Sequence, residues 1–241
     1  MHKHMRPFFL SLSCQKDDME SELIQFLSGF VTPERLALFN KILSYRTNYI
    51  TVVLEDIFQT QNASAVLRSA DCFGIQTIHA IENRNEFLVN ADVVRGASNW
   101  VSVNRYNRGS MNTIDAIRKL KQDGYRIIAT SPHEHDVDLE NFNLEKGKAA
   151  FIFGTERPGL TDIAKNEADE FMKIPMVGFT ESLNLSVSVA VTIHHLTDKL
   201  RNHSDIDWHL TDQEKQKLLL HWLRLSIKRA DLLEKKFEEL I

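Results

Sequence analysis

The sequence predicts an α/β protein built on a mostly parallel sheet with helices on both faces. Three observations carry that prediction. Apolar runs of strand length recur along the chain, segments with helical periodicity lie between them, and glycines stand where several of those segments end. With 241 residues, 43% of them hydrophobic and 26% charged, the chain has the balance of a packed globular protein. That balance excludes a disordered, collagenous or coiled-coil chain. At roughly 150 residues per domain, the length suits one large domain with appendages.

The elements follow in order. Thr32-Pro33-Glu34 supplies a hydroxyl N-cap and a proline at the first helical position, and Leu36, Phe39 and Leu43 then share one face. Ile50 to Leu54 is a buried-strand run, Asn62 to Phe73 a helix closed by Gly74, and Thr77 to Ile81 the next strand. Thr113 to Asp123 reads as a helix closed by Gly124 and feeding the strand Tyr125 to Ala129. Ala149 to Phe153 is another strand, Leu160 to Ala168 a helix, and a last strand ends at Ile174-Pro175. Ser186 to Leu200 is a long helix with an apolar stripe, and Thr211-x-x-Glu214 is a capping box opening a final helix that runs towards Glu239. The expected organisation is a poorly structured stretch over 1–31, a helix over 32–48, an α/β domain over 49–203 and a helical extension over 204–241.

No run of about 18 apolar residues is present to span a membrane. The apolar stretch near the start, Pro7 to Leu12, is short and interrupted by Ser11, so the residues before Met19 are expected to be a disordered extension rather than a secretory leader. Two cysteines, Cys14 and Cys72, provide no disulfide framework and favour a reducing compartment, the cytoplasm. His133-Glu134-His135 and His194-His195 are poorly spaced for a shared metal site, and no metal is expected.

In open parallel sheets the chemistry lies where strands end. The first strand leads into Glu55 to Asn62, which holds no glycine; this removes the dinucleotide fingerprint and the P-loop. The glycine-bearing strand ends come later, at Phe153-Gly154-Thr155-Glu156-Arg157-Pro158-Gly159 and at Ile174 to Asn184, and together they make a candidate pocket. On the helix from Asn62, the expected N-cap, Ser64, Arg68 and Asp71 share a polar side. From that helix alone, an i+3 ion pair with Asp71 is the plainer reading of Arg68; a phosphate or hydroxyl ligand is the functional one. Glu156 follows a core strand and could simply cap the next helix. Ser182 to Ser188 places more short polar side chains at a helix mouth than capping requires.

Asn62 to Gly74, Phe151 to Leu160 and Ile174 to Ser188, in that order and spacing, resemble the three motifs of the SpoU branch of the SPOUT RNA methyltransferases across roughly residues 33–205. Thr60-Gln61 stands where relatives often place Pro-His. The resemblance implies transfer of a methyl group from S-adenosylmethionine to a ribose 2′-hydroxyl of RNA, a homodimer, and a trefoil knot in the C-terminal part of the domain. It assigns Asn62, Arg68, Glu156, Ser182 and Asn184 to the reacting side. It places the cofactor against Thr130, Ser131, Phe153, Gly154, Thr155, Glu156, Gly159, Ile174, Pro175, Met176 and Leu183.

A ribose hydroxyl is a poor nucleophile at neutral pH, so the protein must orient it and accept one proton. A guanidinium stays protonated, so Arg68 is expected to grip phosphate and hydroxyl while the proton leaves through that phosphate, water or Glu156. About 30 residues ahead of Thr32 are too few for a separate RNA-binding domain. That layout resembles the tRNA enzymes of the family, which methylate the D-loop guanosine at position 18; a ribosomal RNA methyltransferase is the alternative. The alternative of another class, a catalytically silent RNA-binding relative, would lack Arg68, Glu156 or Asn184. All three are present.

The net charge is -4, from 29 Lys plus Arg against 33 Asp plus Glu, and argues against a wholly basic surface. Arg84 to Arg126 nevertheless holds eight basic and four acidic residues, a local +4. Arg84, Arg95 and Arg105 are the RNA-contact candidates there. Lys217, His221, Arg224, Lys228 and Lys235 would form a second stripe along the final helix, with Arg224 and Lys228 the leading candidates.

Overall fold

The computed structural model describes residues 19–131, 136–155, 158–202 and 205–240. Along the chain the elements are α1 (19–28), α2 (Pro33–Leu43), β1 (Ile50–Glu55), α3 (Thr60–Phe73), β2 (Thr77–Ile81), α4 (Ala91–Val94), β3 (Ser102–Tyr106) and α5 (Asn112–Gln122). They continue with β4 (Arg126–Thr130), β5 (Val137–Asp138), β6 (Ala149–Phe153), α6 (Asp162–Asn166), β7 (Glu170–Lys173), α7 (Leu185–Asn202), α8 (Asp212–Ser226) and α9 (Ala230–Glu238). Residues 46–209 form one compact unit, and the residues up to 45 with those from 210 form another.

The larger unit holds seven strands in the order β3-β2-β1-β6-β4-β7-β5, every neighbouring pair parallel. Alternation along the central strands explains why helices cover both faces. Val52, Leu54 and Phe151 point into a core shared with Val66 and Leu67 of α3 and with Val189 and Ile193 of α7. Val53, Ile127 and Ile152 point the other way, against Ala116, Ile117 and Leu120 of α5 and Ala164 of α6. Burial on both faces is what a central parallel strand demands.

The helical unit is held by Phe39 of α2 against Trp222 of α8, ring centroids 5.6 Å apart, and by Phe26 against Phe237, 5.4 Å apart. Both expected caps form. Thr32 accepts from the Arg35 amide at 3.3 Å with proline in the first turn, and Thr211 and Glu214 make a complete capping box.

Four expectations change. The stretch over 1–31 contains α1, whose Leu27 is fully buried; the residues before Met19 lie outside the described ones. β3 and β5 were not expected, because Ser-Val-Asn-Arg-Tyr at the sheet edge alternates weakly and a two-residue strand leaves no period. α3 begins at Thr60 with Gln59 as its N-cap residue, so Asn62 sits inside the first turn, 7% exposed, rather than capping it. The final helix is two helices. Ile227 is extended and Arg229 takes φ +62°, and no glycine or proline marks the break.

Candidate active site

The parallel sheet brings the C-terminal ends of β4, β6 and β7 together, and a cavity of about 430 Å³ lies there. Of the expected cofactor residues, Thr130, Ser131, Phe153, Gly154, Thr155, Gly159, Ile174, Met176 and Leu183 line it. Its walls are tied across strands. The Thr130 hydroxyl donates to the Ile152 carbonyl at 2.8 Å, and the Ser131 amide donates to the Met172 carbonyl at 3.0 Å. Gly154 is required by close approach: a Cβ there would lie 2.3 Å from the carbonyl carbon of Gly159 and 2.4 Å from the Leu160 nitrogen.

Thr192 of α7 also lines the cavity, fully buried, and its hydroxyl has no hydrogen-bond partner among the described residues. Such a group is costly to leave unsatisfied. With apolar walls and a few short polar side chains, the cavity has the make-up and size of a small-molecule site, commonly about 300–1,000 Å³.

A second cleft of about 730 Å³ adjoins the first, sharing Thr155, Ser182, Leu183 and Leu185 with it. Asn62 and Asn184 stand on this side. Asn184 Nδ2 donates to Asn62 Oδ1 at 3.1 Å, and Asn62 Nδ2 donates to Gln59 Oε1 at 3.0 Å. Asn184 Oδ1 accepts from the Ser186 amide at 2.9 Å and the Ser186 hydroxyl at 2.6 Å, so the same side chain caps the start of α7. The two outer sequence motifs, 122 residues apart, thus meet in one amide pair.

The SpoU rRNA Methylase family model matches residues 49–194, more than half of the chain. The chain belongs to this family. A tRNA (guanosine(18)-2′-O)-methyltransferase of Borreliella burgdorferi is 43% identical over 218 residues, covering 90% of this chain and 97% of that one. Among solved structures, the TrmH/SpoU tRNA modifying enzyme of A. aeolicus superposes with a TM-score of 0.70 at 22% identity, over 81% of this chain and 98% of that chain. A SpoU methyltransferase from Streptomyces viridochromogenes, solved in complex with the cofactor AdoMet, gives a TM-score of 0.53 at 17% identity, over 68% of this chain and 62% of that one. Both structures share the SpoU fold.

Not every expected residue of this SpoU chain gathers at the cavity. Pro175 lines not the cavity but a neighbouring cleft of about 490 Å³, which shares Ile174 with it and is also lined by Phe73, Leu139 and His194. Glu156 and the run His133 to His135 lie outside the described residues. Arg68 is exposed on α3 and lines neither the cavity nor the cleft. Nor is it paired with Asp71, whose carboxylate instead holds the buried guanidinium of Arg46. Ser64, expected on the polar side, is fully buried; it donates to the Thr60 carbonyl at 2.6 Å and accepts from the Asn90 amide at 2.7 Å.

Four of the eight basic residues of the segment Arg84 to Arg126 are held in ion pairs. Arg105 is gripped by Glu82 at 2.6 Å and Glu86 at 3.3 Å, which raises its pKa, chiefly through the hydrogen bond to Glu82. Lys119, Lys121 and Arg126 pair with Asp123, Glu167 and Glu170. Arg84 and Arg95 are exposed and carry no ion pair among the described residues. Arg224 is held by Glu234, 2.6 Å from its Nε, and Lys228 lies in the break between α8 and α9, so the expected continuous stripe does not form.

Sequence reasoning passed over two residues at the end of β1. Glu55, 1% exposed, accepts from the hydroxyls of Thr113 and Thr161, each at 2.7 Å, and from the Thr161 amide at 2.9 Å. Asp56 takes φ +57°, and its carboxylate accepts from the amides of Asn83, Arg84 and Asn85 at 2.8, 2.7 and 3.2 Å. The available signal was an Asp directly after an apolar strand, since Asp is among the few residues that enter the left-handed region readily.

Proposed function

We propose that this chain transfers the methyl group of S-adenosylmethionine to a ribose 2′-hydroxyl of tRNA, at the guanosine named for its 43%-identical relative. One observation carries the reading: the cofactor-sized cavity opens through Thr155, Ser182 and Leu183 onto the cleft that holds Asn62 and Asn184. A donor on one side and a hydroxyl on the other would meet at that shared wall.

Bound S-adenosylmethionine supplies a methyl already activated by its sulfonium. Thr130, Ser131, Phe153, Gly154, Thr155, Gly159, Ile174, Met176 and Leu183 would hold it, and the orphaned Thr192 hydroxyl offers one further hydrogen bond. The Asn62–Asn184 pair, itself held by Gln59 and Ser186, would orient the ribose with Ser182 beside it. Fixing one hydroxyl in a near-attack position supplies much of the acceleration, because the methyl needs no further activation. The hydroxyl proton would leave through water, the RNA phosphate or Glu156. Arg68, exposed and cationic, would grip phosphate rather than act as a base.

Within this reading the catalytic unit spans 49–203 and works in the cytoplasm as a homodimer. Support for the dimer comes from apolar side chains left in solvent, fully exposed Val177 and Phe179 and, on α7, Val187 and Val191 at 44% and 39% exposure, which a second copy would cover. The reading also carries the trefoil knot. It is supported by the insertion of β6 between β1 and β4 and by the return of α7 against α3.

The family description names ribosomal RNA, which keeps that substrate as the second reading. Incubation with methyl-labelled cofactor and separate pools of tRNA and ribosomal RNA, followed by nuclease mapping, decides between them. Label at a D-loop ribose is expected; label confined to ribosomal RNA reverses the order. Cofactor binding without transfer to either pool would leave a silent RNA-binding protein.

A further inference from the structure

We infer that Phe58 is the stacking platform for the nucleobase of the RNA residue seated in the cleft, with Asp56 as the positioning residue that sets the cleft's walls. The inference rests on the reading of this chain as an RNA methyltransferase and names what that site grips. Phe58 lies on the wall of the 730 Å³ cleft that holds Asn62, Ser182 and Asn184, and it does not line the cofactor cavity. The residue is 77% exposed.

A single exposed phenylalanine is ordinary on a protein surface. This one differs in how its backbone is anchored. On its N-terminal side Ile57 is buried in the main core at 6% exposure. One residue earlier Asp56 occupies the left-handed region, which aspartate enters more readily than most residues and in which its surroundings hold it.

The enforcement is visible. Three amides, those of Asn83, Arg84 and Asn85, donate to the Asp56 carboxylate, and Asn85 Nδ2 donates to the Asp56 carbonyl at 2.8 Å. Asn85 lines the same cleft as Phe58. Asp56 therefore ties the backbone that leads to Phe58 to the loop that carries Asn85. An exposed aromatic side chain on an anchored backbone, lining the same cleft as the residues that would orient a ribose, is placed to receive the base attached to that ribose. Base–aromatic stacking is worth about 1–3 kcal/mol and tolerates any base, because every base has a π-face.

The test uses the full chain with Phe58→Ala, Phe58→Tyr and Phe58→Trp. Because the ring is exposed, these substitutions leave the core intact. Phe58→Ala is expected to lower kcat/KM for RNA by about 5- to 150-fold, the rate equivalent of that stacking energy. Affinity for S-adenosylmethionine by calorimetry and the molecular mass in solution should stay at the wild-type values, and Phe58→Tyr should restore turnover.

Wild-type kcat/KM in Phe58→Ala overturns the inference. So does failure of Phe58→Tyr to rescue, or a change in cofactor affinity or mass, which would make the ring structural or a subunit contact. Should the wild-type chain methylate no RNA, the functional reading fails by itself. The stacking is then read from Phe58→Trp: quenching of the added tryptophan emission by RNA sustains it, and unchanged emission on a bound RNA refutes it.

Discussion

Replacement of Gly154 by alanine tests whether the cavity at the ends of β4, β6 and β7 is the cofactor site. The added Cβ would lie 2.3 Å from the Gly159 carbonyl carbon and 2.4 Å from both the Gly159 oxygen and the Leu160 nitrogen. Carbon–carbon contacts settle near 3.5–4.0 Å, so the two backbone segments must part by roughly 1 Å. Both segments line the cavity, and neither is the yielding end of a flexible side chain. Overpacking of this kind costs about 1–3 kcal/mol, or roughly 2–12 °C in a chain of this size. A misplacement of about 1 Å at a reacting centre can lower turnover on the order of 100-fold.

The assay pairs thermal denaturation with calorimetric titration of S-adenosylmethionine, using Gly109→Ala as the control. At Gly109 the nearest atom to an added Cβ is the Asp115 carboxylate, 3.7 Å away, an ordinary contact. Gly154→Ala should melt several degrees lower and bind the cofactor at least about tenfold more weakly, while Gly109→Ala stays near wild type. Wild-type cofactor affinity in Gly154→Ala would refute the placement of the site.

Four further outcomes are expected. His79 is buried against Tyr106, its Nδ1 2.9 Å from the hydroxyl, and burial depresses its pKa from 6.5 to about 4. The unfolded chain then binds the extra proton between those values, so this stability is present above pH 6.5 and is lost as pH falls towards 4; urea titrations at pH 7 and 4.5 should differ by about 2–3 kcal/mol more in wild type than in His79→Gln. Glu55→Ala strands the Thr161 amide and two threonine hydroxyls and should cost about 2–4 kcal/mol in denaturant titration; a loss below about 1 kcal/mol would contradict the bonding described. Arg68→Ala should lower turnover on the order of 100-fold with stability unchanged, and Arg68→Lys should retain part of it; near-wild-type turnover in both, with RNA binding intact, removes Arg68 from the reaction. Arg84→Ala should reduce the salt slope of RNA binding by about 1, whereas Arg224→Ala, already paired with Glu234, should leave it in place; the reverse result would move the RNA footprint onto the helical unit.

Legibility in the sequence followed burial. The central strands β1, β4 and β6 could be read because burial on both faces forces near-continuous apolar runs. β3 could not, since an edge strand with the exposure pattern of Ser102 to Tyr106 writes no such run. The cap at Thr211 was readable because its hydrogen bonds are local, and the break at Arg229 was not, because no residue there forbids a helix. At the site, the loops around Gly154 and Ser182 were found from their glycines and clustered hydroxyls. Asp56 and Phe58 were missed because that loop shows neither.

The sequence by itself determined the alternation of strand and helix, the two caps and the three motifs, all of which depend on spacing within a few residues. Only the tertiary structure decided which polar groups meet. The pairing of Asn62 with Asn184, the diversion of Asp71 to Arg46, and the neutralisation of Arg105 by Glu82 each join residues distant in the chain. Such bonds depend on strand order and helix docking, which are set by burial summed over the whole core and leave no mark at either partner's position.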